Sequence, residues 1–280
     1  MMTSHETAAD NKQTAIGIFG ANGRMGRALI DAVDAEPTVN LSAAFVRTGS
    51  ALAGIDSGTL IGHAANGTAL SERRDKYDEV GTEVFIDFTL PDALEGHIAW
   101  CREQRKSMVI GTTGLTPGQL ALIDDAAKDI AIVFAPNYSV GINLMLNLLK
   151  TTAAVIGNNC DIEIIEGHHR FKQDAPSGTA LKLGEAVAET LGRDLSKCAI
   201  YGREGIEPQR SRETIGFSTI RAGDIVGEHT VMFADMGERL EITHKATSRL
   251  TFAKGAVRAA LWLKNKPPGL YDMQTVLGLK

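Results

Sequence analysis

The feature that most narrows what this chain can become stands near its start. The apolar run Ala15 to Phe19 (AIGIF) enters the turn Gly20-Ala21-Asn22-Gly23-Arg24-Met25-Gly26, and apolar residues then recur at helical spacing at Ala28, Leu29, Ile30 and Val33. A short continuous apolar run bounded by glycine reads as a strand buried on both faces, the kind found in parallel sheets. Gly20 allows a tight turn, Gly23 lets backbone approach a pyrophosphate, and Gly26 lets the helix pack closely on the strand. The standard G-x-G-x-x-G has a glycine where this chain has Asn22; asparagine tolerates a left-handed backbone better than other non-glycine residues. Strand, turn and helix in this order predict a Rossmann-type, doubly wound parallel sheet with a dinucleotide at Gly20–Gly26.

A second strand, Val39 to Val46, ends where an NAD-type site places an acidic residue on the ribose. Here stand Val46, Arg47, Thr48 and Ser50. A guanidinium beside hydroxyls suits a 2′-phosphate, so NADPH is expected over NADH; a solvated Arg47 in a loop is the plain alternative. Residues 49–77 give little periodic signal and read as loops with at most one short element. Strands follow at Glu83–Phe88, Met108–Ile110 and Ile130–Phe134, with helices opening after Pro91 and at Thr116-Pro117. Ligands of such sheets lie at the carboxyl ends of the strands. Those ends include the small-residue turn Gly111-Thr112-Thr113 and the turn after Phe134.

Beyond Ser139 the pattern changes. Gly141 to Gly157 is apolar but interrupted at helical spacing by Asn143, Asn147 and Lys150, which suits an amphipathic helix and not a membrane span. Asp161–Glu166, Thr214–Ile220, His229–Ala234 and Arg239–Thr243 read as strands, with turns at residues 222–224 and 236–237. They predict an α+β substrate and oligomerisation domain with an open mixed sheet. The helix Ala180–Leu191 is expected on one face and a neighbouring subunit on the other. The expected division is 1–139, with 250–280 returning to it through a helix at Phe252–Leu263, and 140–249.

Within the second domain, EGHHRFKQDAPSGT (Glu166 to Thr179) gathers His168, His169, Arg170 and Lys172 where an edge of a sheet gives way to a loop, then opens a helix through Ser177-Gly178-Thr179. Ser177 or Thr179 can cap that helix, and its first-turn N–H groups with the positive end of the dipole can hold a carboxylate or phosphate. Histidine is readily poised near neutral pH, and a lysine crowded by cations is pushed toward releasing its proton, so the loop can supply general acids. A basic loop is also an ordinary solvated turn. His244, in a strand pattern, reads as a packed residue.

Composition trims the partners. Lys and Arg number 29 against 34 Asp and Glu, a net charge of −5, which argues against nucleic acid. Cys101, Cys160 and Cys198 are scattered, with no metal-ligand spacing and no disulfide framework, as expected in a reducing, cytoplasmic compartment. The polar N-terminal MMTSHETAADNKQ reads as a loose tail, neither signal nor anchor. No metal site and no membrane contact are expected.

Together GANGRMG, FIDFT, VIGTTG, NYSVG, EGHHRFKQDAPSGTA, GFSTIRAGDIVGEHTVMF and ERLEITHKA resemble the 4-hydroxy-tetrahydrodipicolinate reductase (dihydrodipicolinate reductase) family over nearly the whole chain, the HHRxKxDAPSGTA stretch being the most specific. The resemblance implies hydride transfer from NADH or NADPH to a cyclic imine dicarboxylate with loss of water, in diaminopimelate and lysine biosynthesis, by a cytoplasmic homotetramer. It implies His168 and Lys172 as the acid/base pair, with His169, Ser177, Gly178 and Thr179 on substrate carboxylate. The cofactor would meet Gly20 through Gly26, Gly111 to Thr113 and Ala135-Pro136-Asn137-Tyr138. Some members carry Glu at the position of Val46 and Arg at that of Leu90. The rival readings are a dinucleotide-sensing regulator without catalysis, and a semialdehyde-type dehydrogenase, which would need an activated cysteine that the sequence does not offer.

Overall fold

The computed structural model describes residues 13–72, 81–206 and 208–280. The N-terminal segment up to residue 12 and the end of the 49–77 stretch lie outside the described residues. The chain forms two compact units. One holds the described residues up to Tyr138 together with Phe252–Gly278, the other Ser139–Thr251 with Leu279–Lys280.

In chain order the first unit contains β1 (Thr14–Phe19), α1 (Arg24–Asp34), β2 (Val39–Phe45), α2 (Ser57–Leu60), β3 (Leu70–Ser71), β4 (Val84–Asp87), α3 (Pro91–Glu103), β5 (Ser107–Ile110), α4 (Pro117–Ala126) and β6 (Ala131–Phe134). The second contains α5 (Val140–Ile156), β7 (Asp161–His168), α6 (Gly178–Thr190), α7 (Leu195–Cys198), β8 (Ala199–Ile200), β9 (Ile215–Arg221), β10 (Gly227–Asp235) and β11 (Glu238–Ala246). The helix α8 (Leu250–Leu263), β12 (Gly269–Tyr271) and α9 (Met273–Val276) follow.

The first unit is a Rossmann-type sheet of seven strands in the order β12-β6-β5-β4-β1-β2-β3, parallel throughout. Its core joins Phe19, Phe85, Met108, Ile110 and Ile132 of the strands to Leu94 and Ile98 of α3 and Ile123 of α4. The helix starts follow sequence rules: Pro91 opens α3 with Asp92 in its first turn, and Thr116 and Gln119 form a reciprocal capping box on α4. The stretch read as loops is better ordered than its pattern shows. Asp56 caps α2 and also accepts from the backbone N–H groups of Asn66 and Gly67, so a single carboxylate folds the loop back on itself. β12 went unforeseen because three residues carry too little periodic signal.

The second unit is an open mixed sheet in the order β11-β10-β7-β9-β8, antiparallel at β11-β10-β7 and parallel at β7-β9-β8. This sheet differs in two ways from what its sequence pattern predicts. The strand leading into the basic loop is not at an edge but is the central strand, flanked by β10 and β9. Two helices, not one, build the core on this sheet: Ile142, Met145, Leu149 and Ala153 of α5 join Ala180, Leu183 and Val187 of α6 against Ile162, Ile164, Phe217, Val231 and Phe233. Ile220, Met236 and Leu240 of the same unit are exposed. No helix among the described residues is long and apolar enough to cross a membrane.

Candidate active site

At the end of β1, Gly20 adopts φ +68°, the left-handed region where a side chain is strained. A Cβ on Gly26 would lie 2.2 Å from the Gly20 carbonyl oxygen and 2.6 Å from the Ala21 carbonyl carbon, so only glycine lets α1 start so close to the turn. Gly23 is the N-cap and makes no side-chain cap bond, which leaves the helix start as bare backbone followed by Arg24 and Met25. Ala21 is buried and its N–H is used on the Phe45 carbonyl. Asn22 was expected to help by tolerating a left-handed backbone, but among the described residues the non-glycine residues with positive φ are Arg105 and Asn265. Its carbonyl instead accepts from Arg27 Nε. A cradle in which a Cβ would collide, opening onto uncapped N–H groups, fits a dinucleotide pyrophosphate.

The other residues expected at a cofactor lie at carboxyl ends of strands in the same sheet. Val46 is only 6% exposed and hydrogen-bonds through its N–H to Ser71, whereas Arg47 is exposed just beyond β2. Gly111 was expected to be small for a nicotinamide; a Cβ there would stand 2.2 Å from the Phe88 ring, so its smallness already serves internal packing. Thr112 is buried with its hydroxyl 3.5 Å from Asp87 Oδ1, while Thr113 is exposed. Asp87, fully buried, also accepts from the Thr89 N–H and hydroxyl and meets His97 Nδ1 at 2.7 Å. Ala135 is buried, Pro136 exposed and Asn137 half-buried. The Tyr138 side chain is in the core with its hydroxyl near the carbonyls of Ile110 and Val133, and burial raises its pKa well above the usual phenol range. Any contact of Tyr138 with a cofactor is therefore through backbone.

In the second unit His168 closes β7, and Lys172, Asp174 and Ser177 follow in the loop to α6. Ser177 is the N-cap that was expected, its hydroxyl accepting from the Ala180 N–H; Thr179 lies inside the helix. A Cβ on Gly178 would meet nothing within 4 Å, so the helix start faces open space. Lys172 was expected among cations, but its ammonium meets the Asp174 carboxylate at 2.8 Å. That bond, set against burial, holds Asp174 below the usual carboxylate range.

The residues that organise this loop escaped the sequence reading. Glu166, 1% exposed, meets His168 Nδ1 at 2.6 Å and accepts from both Arg221 terminal nitrogens and the Ser177 N–H. Burial would raise its pKa, but these hydrogen bonds outweigh it and hold the carboxyl below the usual range. His229, 4% exposed, sits with Nε2 3.1 Å from the Ser177 hydroxyl and its ring 5.1 Å from that of His168. Burial, with help from His168, lowers its pKa to about 4. His168 is also lowered, by burial first, with Glu166 opposing. His244 carries a second such contact, its Nε2 3.1 Å from the hydroxyl of Ser139, the N-cap of α5. The buried side-chain nitrogens without a partner among the described residues are His169 Nδ1, Arg221 Nε, His229 Nδ1 and His244 Nδ1, all in this unit. Orphaned polar atoms are costly in a finished core and expected in a site that binds polar ligands.

Each unit matches one half of a known family. Residues 14–138 match the N-terminal domain of dihydrodipicolinate reductase and residues 141–277 its C-terminal domain. The chain belongs to the dihydrodipicolinate reductase family. Among its relatives, the 4-hydroxy-tetrahydrodipicolinate reductase of Pseudoalteromonas atlantica is 60% identical over 94% of this chain and 98% of that protein. The enzyme of the same name from Hahella chejuensis is 58% identical over 95% and 100%. Among solved structures, the dipicolinate-bound dihydrodipicolinate reductase of Paenisporosarcina sp. TG-14 superposes with a TM-score of 0.70 at 24% identity, covering 93% of this chain and 97% of that one, a likeness of fold.

Proposed function

We propose that this reductase-family chain converts (2S,4S)-4-hydroxy-2,3,4,5-tetrahydrodipicolinate into 2,3,4,5-tetrahydrodipicolinate, with loss of water, in diaminopimelate and lysine biosynthesis. The observation that carries the reading is the gathering, at the end of one strand, of His168, Lys172 and the open helix start at Gly178, in a chain 60% identical to a reductase of that name. A doubly negative substrate suits such a surface: the Ser177 hydroxyl and the first-turn N–H groups at Gly178 and Thr179, with His169, take a carboxylate, and Lys172 supplies charge beside it. A bound NADPH or NADH supplies the hydride, and the residues Gly20–Gly26, Arg47, Gly111–Thr113 and Ala135–Tyr138 hold and orient it. His168 and Lys172 are the acid/base pair that delivers the proton which balances the hydride as water leaves.

NADPH is the preferred cofactor in this reading, because Val46 offers the ribose no acceptor and Arg47 stands exposed beside it. The chain works in the cytoplasm, as a homotetramer assembled through the exposed face of the five-stranded sheet. The test is an assay with enzymatically generated substrate that follows oxidation of each nicotinamide cofactor. Turnover with NADPH ahead of NADH is expected. Tight cofactor binding without oxidation of either would favour the regulator reading and overturn this one.

A further inference from the structure

Along β7 the residues that alternate onto the buried side are Ile162, Ile164, Glu166 and His168. The first two join the apolar core, and the pattern calls for apolar residues at the next two positions as well. Instead the strand carries a carboxylate and an imidazole, hydrogen-bonded to each other. Charged side chains are rarely buried this deeply unless paired, and a position needed only for packing takes an apolar residue at lower cost.

We infer that Glu166 is the positioning residue of the active site: it fixes the proton of His168 on Nδ1, leaves Nε2 as the nitrogen that gains and loses the catalytic proton, and locks the start of α6 to the same carboxylate. The inference rests on the reading of His168 as a catalytic acid. An ionised carboxylate only accepts hydrogen bonds, so the short contact to Glu166 Oε2 puts hydrogen on Nδ1 in both the neutral and the charged imidazole. Nε2 is then the titrating nitrogen. A Cβ at position 227 would stand 3.2 Å from it, and Gly227 carries none.

The other carboxylate oxygen reaches further. Glu166 Oε1 accepts from the Ser177 N–H at 3.1 Å and from Arg221 at 2.8 Å, and Arg221 donates on to the Asp174 carbonyl in the loop that carries Lys172. One side chain thereby sets the imidazole, the helix start and the loop together. The groups around His168 come from every neighbouring element: Glu166 on its own strand, Arg221 on β9, His229 on β10, and Lys172 with Asp174 from the loop. Burial first, and then Lys172 and Arg221, disfavour a charged imidazole, and Glu166 opposes them.

Glu166→Gln keeps the shape and removes the charge; Glu166→Asp keeps the charge and shortens the reach. For Glu166→Gln, kcat is expected to fall at least about ten-fold. The alkaline fall of the pH profile should move about one unit toward acid, as expected when a nearby opposite charge is lost. The cofactor dissociation constant should stay put. Glu166→Asp should return the limb toward its wild-type position with a lower plateau. The ¹⁵N spectrum of histidine-labelled wild type, recorded without substrate, should show His168 protonated on Nδ1. A folded Glu166→Gln variant with the wild-type kcat and pH profile overturns the inference. So does a wild-type spectrum with the proton on Nε2, which decides alone if the glutamine variant does not fold. Failure of the proposed activity is distinguishable, since it appears as absent turnover in wild type and leaves the resting tautomer to be read.

Discussion

At the start of α1 the cap is Gly23 with no side-chain bond, and nothing but backbone and the absence of side chains shapes the turn. At the start of α6 the cap is Ser177, whose hydroxyl serves the Ala180 N–H and touches His229, and whose own N–H is taken by Glu166. The first start is made by leaving atoms out; the second is made by burying polar atoms and pairing them. A pyrophosphate that must be held along its length needs close backbone, which only glycine gives. A reacting centre needs charges and protons at fixed points, which only supported side chains give. The two therefore should respond differently to substitution, pH and ligand.

The largest expected effect lies in the polar region. Lys172→Arg keeps a cation but one that cannot deprotonate, and kcat should fall by about 10²–10⁴-fold while NADPH affinity holds. A fully active variant would reduce Lys172 to a point of charge.

Next comes acid stability. His229 titrates near 4 in the folded chain against an ordinary value near 6.5, so the unfolded chain takes up the proton first as pH falls. The stability from keeping it neutral is complete above about pH 6.5 and is lost toward pH 4, by about 3 kcal/mol. Thermal melts across that range should steepen in wild type and flatten in His229→Gln; equal slopes would remove His229 from the account. Nothing comparable is expected from the α1 start.

Arg47→Ala should weaken NADPH by about ten- to a hundred-fold, from the roughly 1.5–3 kcal/mol of a charge-assisted contact, and leave NADH unchanged. Equal losses for both would mean that Arg47 stacks on adenine. The smallest and most direct comparison is of two glycines. Gly26→Ala puts a Cβ 2.2 Å from the Gly20 carbonyl oxygen and should lower stability by about 1–3 kcal/mol and loosen the cofactor. Gly178→Val enters open space, so Tm should hold while KM for the acid substrate rises several-fold. If Gly178→Val instead impaired the cofactor, the two helix starts would have to exchange ligands.

What was legible in the chain follows the same division. The α1 turn is contiguous, and its glycines announce a local backbone requirement that can be read without knowing what packs nearby. The basic loop and Ser177 were legible for the same reason. Glu166 stands at the head of the basic stretch without a local sign of its role, which comes from Arg221, 55 residues away, and from the central place of β7. His229 joins Ser177 across 52 residues through the pairing of β10 with β7. Strand register decides such neighbours, and nothing local in the sequence states it. Gly111 is ambiguous in the opposite sense, since a small residue signals close approach without saying whether a ligand or, as here, Phe88 approaches.

The return of the chain through α8 and β12 bears on the order of synthesis. β12 pairs with β6, and a Cβ on Gly255 of α8 would lie 1.8 Å from the Tyr138 carbonyl oxygen, so the C-terminal segment is built tightly into a unit begun long before. A ribosome making this chain releases β1 through β6 first, then the whole of residues 139–251, and only afterwards the pieces that close the nucleotide sheet. During that interval the edge of β6 has no partner strand and Tyr138 lacks its cover, while the inserted unit already holds the strands β7 to β11 of its own sheet. The later-emerging unit is thus the first able to complete its sheet, and the earlier one waits with an open, aggregation-exposed edge.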